Sequence, residues 1–134
     1  MRILQISVAN QQKIIAHLGS TLPHEGCGFL SGVGARVVGV WPVENLAASP
    51  THFRMEPAAQ VAALLAIESA GETLLAIYHS HPQGPMQLSA QDVIEAYDPS
   101  LIQVLGVPNG DAWQLQAFEI TDGKVTEVQL LDDD

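Results

Sequence analysis

The chain has 134 residues, 47% of them hydrophobic, which is enough for one domain with its own core. Its formal charge of −10 comes from 15 acids against five bases, and no cluster of Lys and Arg exists to displace counterions from a nucleic acid. No apolar run approaches the roughly 20 residues that cross a bilayer, and the single cysteine, Cys27, excludes an internal disulfide framework and a multi-cysteine zinc site. The first residues, MRILQISVANQQK, carry no sustained apolar stretch or cleavage signal, so a cytoplasmic protein without membrane or nucleic-acid partners is expected. The excess of acids reads as a solvated surface, part of it an Asp132-Asp133-Asp134 tail.

Residues 2–7 alternate enough for a first strand, and Ile14, Ile15 and Leu18 have helical spacing within 8–18. Gly19 and Pro23 would stop that helix. Cys27 to Val33 reads as a buried strand bounded by glycines, with Arg36 to Val43 as its hairpin partner. After a loop over 46–50, Phe53-Arg54-Met55 is expected as a short strand. Glu56-Pro57 then opens a helix with proline in its first turn, running through Ile67 to a stop at Gly71. Residues 73–80 form a buried strand, and a helix follows from Ser89 to about Tyr97, ended by Asp98-Pro99. Antiparallel strands at 101–107, 112–120 and 124–131 are joined by Pro108-Asn109-Gly110-Asp111 and Thr121-Asp122-Gly123-Lys124. Interleaved strands and helices followed by a meander predict a mixed α/β domain over 1–131, with an acidic tail at 132–134.

The chemistry concentrates in Ile77 to Asp92, IYHSHPQGPMQLSAQD. His79 and His81 sit one residue apart at the end of the 73–80 strand, so their side chains share a face. Ser89 and Asp92 follow after a turn containing Pro82, Gly84 and Pro85. Two imidazoles and a carboxylate suit a divalent metal, zinc above all, and leave a fourth position for a water whose pKa falls to about 7. Each residue also has a plainer role. A histidine can simply end a strand, and Ser89-Ala90-Gln91-Asp92 matches a helix capping box. Capping and metal binding are compatible for Asp92, because a carboxylate has two oxygens.

His79-Ser80-His81-Pro82, six residues, Ser89, two residues and Asp92 resemble the H-x-H-P-x6-S-x2-D signature of the JAMM (MPN-plus, Mov34/PAD-1) metallopeptidases. Upstream, Glu25-Gly26-Cys27-Gly28-Phe29-Leu30-Ser31-Gly32 is similar to the E-x-C-G-x-L-x-G strand of bacterial members. The resemblance implies a mixed, mostly antiparallel curved sheet flanked by about three helices. It implies one Zn2+ per chain held by His79, His81 and Asp92, with Glu25 as general acid/base and Ser89 stabilising the oxyanion. It implies a peptidase or isopeptidase cutting after the extended C-terminal tail of a ubiquitin-like or sulfur-carrier protein. With no long insertion beside the signature, a simpler substrate than a polyubiquitin chain is expected.

The alternative is a non-catalytic MPN-type interaction module, but such relatives typically lose ligands and all five signature residues are present here. A zinc deaminase would need a P-C-x-x-C pair, an amidohydrolase barrel about 250 residues, and a zincin the absent H-E-x-x-H. Ser80 is expected to support the site by a hydrogen bond. Cys27 reads as a buried free thiol rather than a nucleophile, and His24 as a surface residue. Met86 and Leu88 suit either a substrate groove or the core.

Overall fold

The apolar runs become seven strands and three helices among residues 2–96 and 98–132, which the structure, a computed structural model, describes. In chain order these are β1 (Ile3–Ile6), α1 (Val8–Ser20), β2 (Cys27–Val33), β3 (Arg36–Val43), α2 (Pro57–Ser69), β4 (Thr73–Ser80), α3 (Ala90–Glu95), β5 (Ile102–Asn109), β6 (Ala112–Thr121) and β7 (Lys124–Asp132). Local chemistry sets the helix starts. The Ser7 hydroxyl accepts from the Asn10 N–H at 3.1 Å to cap α1, and the Glu56 carboxylate accepts from Ala59 N–H at 2.6 Å ahead of Pro57.

The strands are mixed, with four antiparallel and three parallel pairings. The expected curved sheet is corrected here: the strands close into a barrel in the order β1-β3-β2-β4-β5-β6-β7. β1 is the closing stave. It pairs in parallel with β7 from Ile3↔Gln129 to Ile6↔Asp132, and with β3 at Gln5↔Arg36. An open sheet would leave β3 and β7 as unpaired edges, and closure satisfies their backbone groups. It also buries Leu4 and Ile6 completely against Leu30, Val37, Ala76, Val104, Ala117 and Val128. Alternation in residues 2–7 reveals the strand but not its two partners.

Two outer layers complete the fold. Ala59, Ala63 and Ile67 of α2 pack on Cys27, Phe29 and Val43, while Val61, Leu64 and Leu65 of the same helix stay exposed. Leu88 and Val93 cover Leu105, Phe118 and Ile120 on the other side. The strand expected at 53–55 is reduced to one antiparallel bridge, Asn45↔Met55, because the intervening chain bonds to itself as a closed loop. α3 runs from Ala90 to Glu95; Tyr97, its expected end, lies outside the described residues. Asp132 ends β7, and the last two acids of the expected tail also lie outside them. No helix among the described residues is long and apolar enough to cross a membrane.

Tyr78 is fully buried in the same core as Leu4 and Ile6, and its hydroxyl meets His17 Nδ1 at 2.7 Å. Burial lowers the His17 pKa from its ordinary 6.5. The unfolded chain therefore takes up a proton that the folded chain resists, and this contribution to stability, present above pH 6.5, is lost as pH falls. Urea unfolding of wild type and His17→Gln should show a stability difference larger at pH 7.5 than at pH 5. A difference independent of pH would contradict this assignment.

Candidate metal centre

Antiparallel pairing of β2 with β4 sets Cys27 opposite His79 and carries Glu25, two residues ahead of β2, to the end of β4. Gly26 is fastened there at both polar groups: its N–H donates to Ser80 Oγ at 2.9 Å, and its carbonyl accepts from Ser80 N–H at 3.1 Å. Ser80 thus supplies the supporting hydrogen bond expected of it. The alternation along β4 sends Tyr78 and Ser80 to one face and His79 and His81 to the other.

α3 brings the third donor. Ser89 Oγ accepts from Asp92 N–H at 3.0 Å, and Ser89 N–H donates to Asp92 Oδ2 at 2.8 Å, a complete capping box. The same Oδ2 lies 3.3 Å from His79 Nε2 and 3.1 Å from His81 Nε2, and those two nitrogens are 3.3 Å apart. A tetrahedral metal with bonds of about 2.0–2.1 Å sets its ligands about 3.3 Å apart, so the triangle has the size of one face of such a site. The His81 ring orientation agrees, whereas the buried Nδ1 of His79 has no hydrogen-bond partner. His81 Nδ1 lies 3.0 Å from the Pro85 carbonyl, which can only accept, so this nitrogen carries a proton; Nε2 faces the cluster, donating to Asp92 when protonated and free to give a metal its lone pair when not. His79 is held from behind by Phe53, stacked with ring centroids 4.7 Å apart.

Glu25 joins this group from the β2 side. It is 2% exposed, and its donor atom and those of His79 and His81 all lie within 4.8 Å of one another. Glu25 Oε1 is a buried atom with no hydrogen-bond partner, which is costly unless something polar occupies the space beside it. A carboxylate oxygen without a protein partner beside two converging imidazoles is what a metal ion and its water require, and the residues present can hold a metal ion.

The electrostatics separate the two acids. Burial raises the Glu25 pKa to about 7, with the Asp92 charge adding to the effect and His81 opposing it. Burial acts on Asp92 in the same direction, but the hydrogen bonds from His79 and His81 and from the Ser89 backbone outweigh it and hold Asp92 well below the usual carboxylate range. Burial lowers His79. It also opposes the charged form of His81, where the contacts with Asp92 and Pro85 prevail and the net direction is upward. Two carboxyl groups with opposite shifts in one cleft suit two tasks, one a permanent anion and the other a proton carrier near neutral pH.

Ser89 is exposed, and capping uses only a lone pair of its hydroxyl, leaving the O–H free to donate. It lines a cleft of about 350 Å³ with Glu25, Thr51, His81, Gln87 and Leu88. A second groove of about 460 Å³ opens on the Asp92 side, lined by Phe53, Arg54, Ile77, Ile94 and Gln103. Glu25, His81 and Ser89 thus border the first cleft and Asp92 the second, while His79 lines neither and is fully buried beside them. Cys27 is fully buried, 3.4 Å from the Val43 carbonyl, and burial with the Glu25 charge pushes its thiol up to about 12; it is inert. His24 is exposed. Met86 and Leu88 pack on the core, Leu88 also reaching the cleft wall. Sequence reasoning missed the Pro85 carbonyl and the Phe53 stack, neither of which has a sequence signal beyond a proline-rich turn and an aromatic in a loop.

Known proteins resemble this chain in sequence and in fold. The family of prokaryotic homologs of the JAB domain matches residues 7–117. A "Desampylase" of Haloferax volcanii is 36% identical over 111 residues, covering 81% of this chain and 78% of that one. A "CysO-cysteine peptidase" of Mycobacterium tuberculosis is 33% identical over 117 residues, covering 85% and 80%. A Thermus thermophilus protein described as a "Probable TtuB-protein conjugate cleaving protease" is 45% identical over 82 residues, which span 60% of this chain and 55% of that protein. The solution structure of a Desulfitobacterium hafniense protein superposes with a TM-score of 0.88 at 31% identity, covering 98% of this chain and 93% of that one. With its fold, its His-x-His strand and its glutamate at the head of β2, the chain belongs to the family of prokaryotic homologs of the JAB domain.

Proposed function

We propose that this protein is a zinc-dependent peptidase or isopeptidase that hydrolyses the amide bond following the C-terminal tail of a ubiquitin-like or sulfur-carrier protein. The observation that carries the reading is Glu25: a buried carboxylate, raised to about 7 and without a partner at Oε1, beside three donors 3.1–3.3 Å apart. A non-catalytic module has no use for such a group. The substrate class is supported by relatives named as a probable TtuB-protein conjugate cleaving protease and a CysO-cysteine peptidase.

His79, His81 and Asp92 would hold the zinc, with Asp92 also anchoring the start of α3. That ion would supply Lewis-acid chemistry, polarising the scissile carbonyl and bringing the pKa of a water to about 7. Glu25 takes the proton of the attacking water and delivers it to the leaving amine; a pKa near 7 serves both transfers at neutral pH. The Ser89 O–H, free of its capping duty, donates to the oxygen on which charge develops. The tail lies extended across the site between the two grooves. The exposed Val61, Leu64 and Leu65 of α2 offer an apolar surface for the body of the carrier.

The test uses a small ubiquitin-like carrier whose terminal Gly-Gly is extended either through its α-carboxyl or through a lysine side chain. Mass spectrometry after incubation with zinc-loaded protein should show the carrier released with a free terminal glycine. Both substrates remaining intact would overturn the reading.

A further inference from the structure

Glu25 precedes β2, so no strand pairing fixes it; its own backbone is held by one loop. Its N–H donates to the Ser49 carbonyl at 2.8 Å, and its carbonyl accepts from Asn45 Nδ2 at 3.0 Å. Residues 45–55 close on themselves at a narrow neck. Leu46 N–H donates to the Arg54 carbonyl at 2.7 Å, Glu56 N–H donates to the Glu44 carbonyl at 2.9 Å, and Asn45 bridges Met55. Asn45 stands inside that neck with its carboxamide fully used. Oδ1 accepts from Ala47 N–H at 3.0 Å and Arg54 N–H at 2.9 Å, while Nδ2 donates to the His52 carbonyl at 3.1 Å as well as to Glu25. The same loop lines both grooves, through Phe53 and Arg54 on one side and Pro50 and Thr51 on the other, and Phe53 stacks on His79.

We infer that Asn45 is a positioning residue, whose carboxamide clasps the substrate-lining loop 46–54 to the backbone of Glu25 and so sets where the acid/base stands. The inference rests on the proposed role of Glu25. The chemistry of the clasp is specific to an amide. Four partners, two donors and two acceptors, match the two lone pairs and two N–H bonds of an Asn side chain, and no other side chain of that length supplies both. A substrate that presses on either wall of the site therefore pulls on the backbone that carries the base.

Asn45→Asp separates the two halves of the clasp: it keeps both accepted bonds inside the loop and removes both donated ones, including that to Glu25. We expect kcat on the carrier fusion to fall about 10- to 100-fold with KM changed less than about two-fold, the scale of a misplaced catalytic group, and bound zinc to be unchanged. Combined with Glu25→Gln and assayed over long incubations, Asn45→Asp should add less than about two-fold to the loss, because it acts through the group already removed. Multiplicative losses in the double variant, or a rise in KM at unchanged kcat, would overturn the inference and leave Asn45 as a loop brace. Should Asn45→Asp not fold, Asn45→Ser enters the same cycle with the same expectations. If Glu25→Gln alone retains full activity, the fault lies with the acid/base reading, and the positioning role falls with it.

Discussion

Glu25→Gln is expected to lower kcat at least 100-fold while zinc content and melting temperature stay near wild type. The amide keeps the shape of the side chain and suits the burial that already raises this carboxyl to about 7. What it removes is the ability to accept a proton and pass it on, a function worth about 10²–10⁴ in rate. The buried position makes the loss specific. Glu25 is 2% exposed, and the other acid of the cluster, Asp92, is held well below the usual carboxylate range, so it is too weak a base to take over. Steady-state kinetics on the Gly-Gly fusion decide the matter: equal rates for Glu25→Gln and wild type would remove Glu25 from the mechanism.

Asp92→Ala is expected to abolish both metal binding and hydrolysis. Oδ2 of this residue is the anionic corner of the donor triangle, 3.1 and 3.3 Å from the two imidazole nitrogens. Without it the two histidines face each other at 3.3 Å with no negative charge between them. The variant also loses the bond to Ser89 N–H that completes the capping box of α3, a cost of about 1 kcal/mol on the scale of a lost helix cap, which the barrel core can absorb. The expected result is a folded protein with zinc well below one equivalent and activity at background. Stoichiometric zinc and wild-type rates in Asp92→Ala would show that the triangle is not the metal site.

Much of this arrangement is legible in the sequence because the informative residues are local. His79 and His81 share a face by the two-residue period of a strand, and Ser89 with Asp92 obeys the spacing of a capping box; both relations hold in the structure. Strand and helix limits follow the same logic, so β2, β3 and β4 span the residues expected of them. What local pattern does not encode is partnership. Nothing in Ile3–Ile6 says that it pairs with both β3 and β7, so residue pattern alone cannot turn the curved sheet that the resemblance implies into the barrel that forms. Glu25 and His79 meet through the β2–β4 register, which only the resemblance, not the spacing, anticipated. Asn45 was invisible for a further reason. Its four bonds go to backbone atoms, and backbone positions leave no mark on residue type.

On the proposed function, hydrolysis depends on a zinc ion at the Glu25, His79, His81 and Asp92 cluster. The most direct measurement is zinc content and carrier-fusion cleavage determined on one sample as the metal is stripped with a chelator and then returned. About one zinc per chain is expected, with cleavage that falls in proportion to the zinc removed and recovers on its return. Full cleavage by metal-free protein would contradict it.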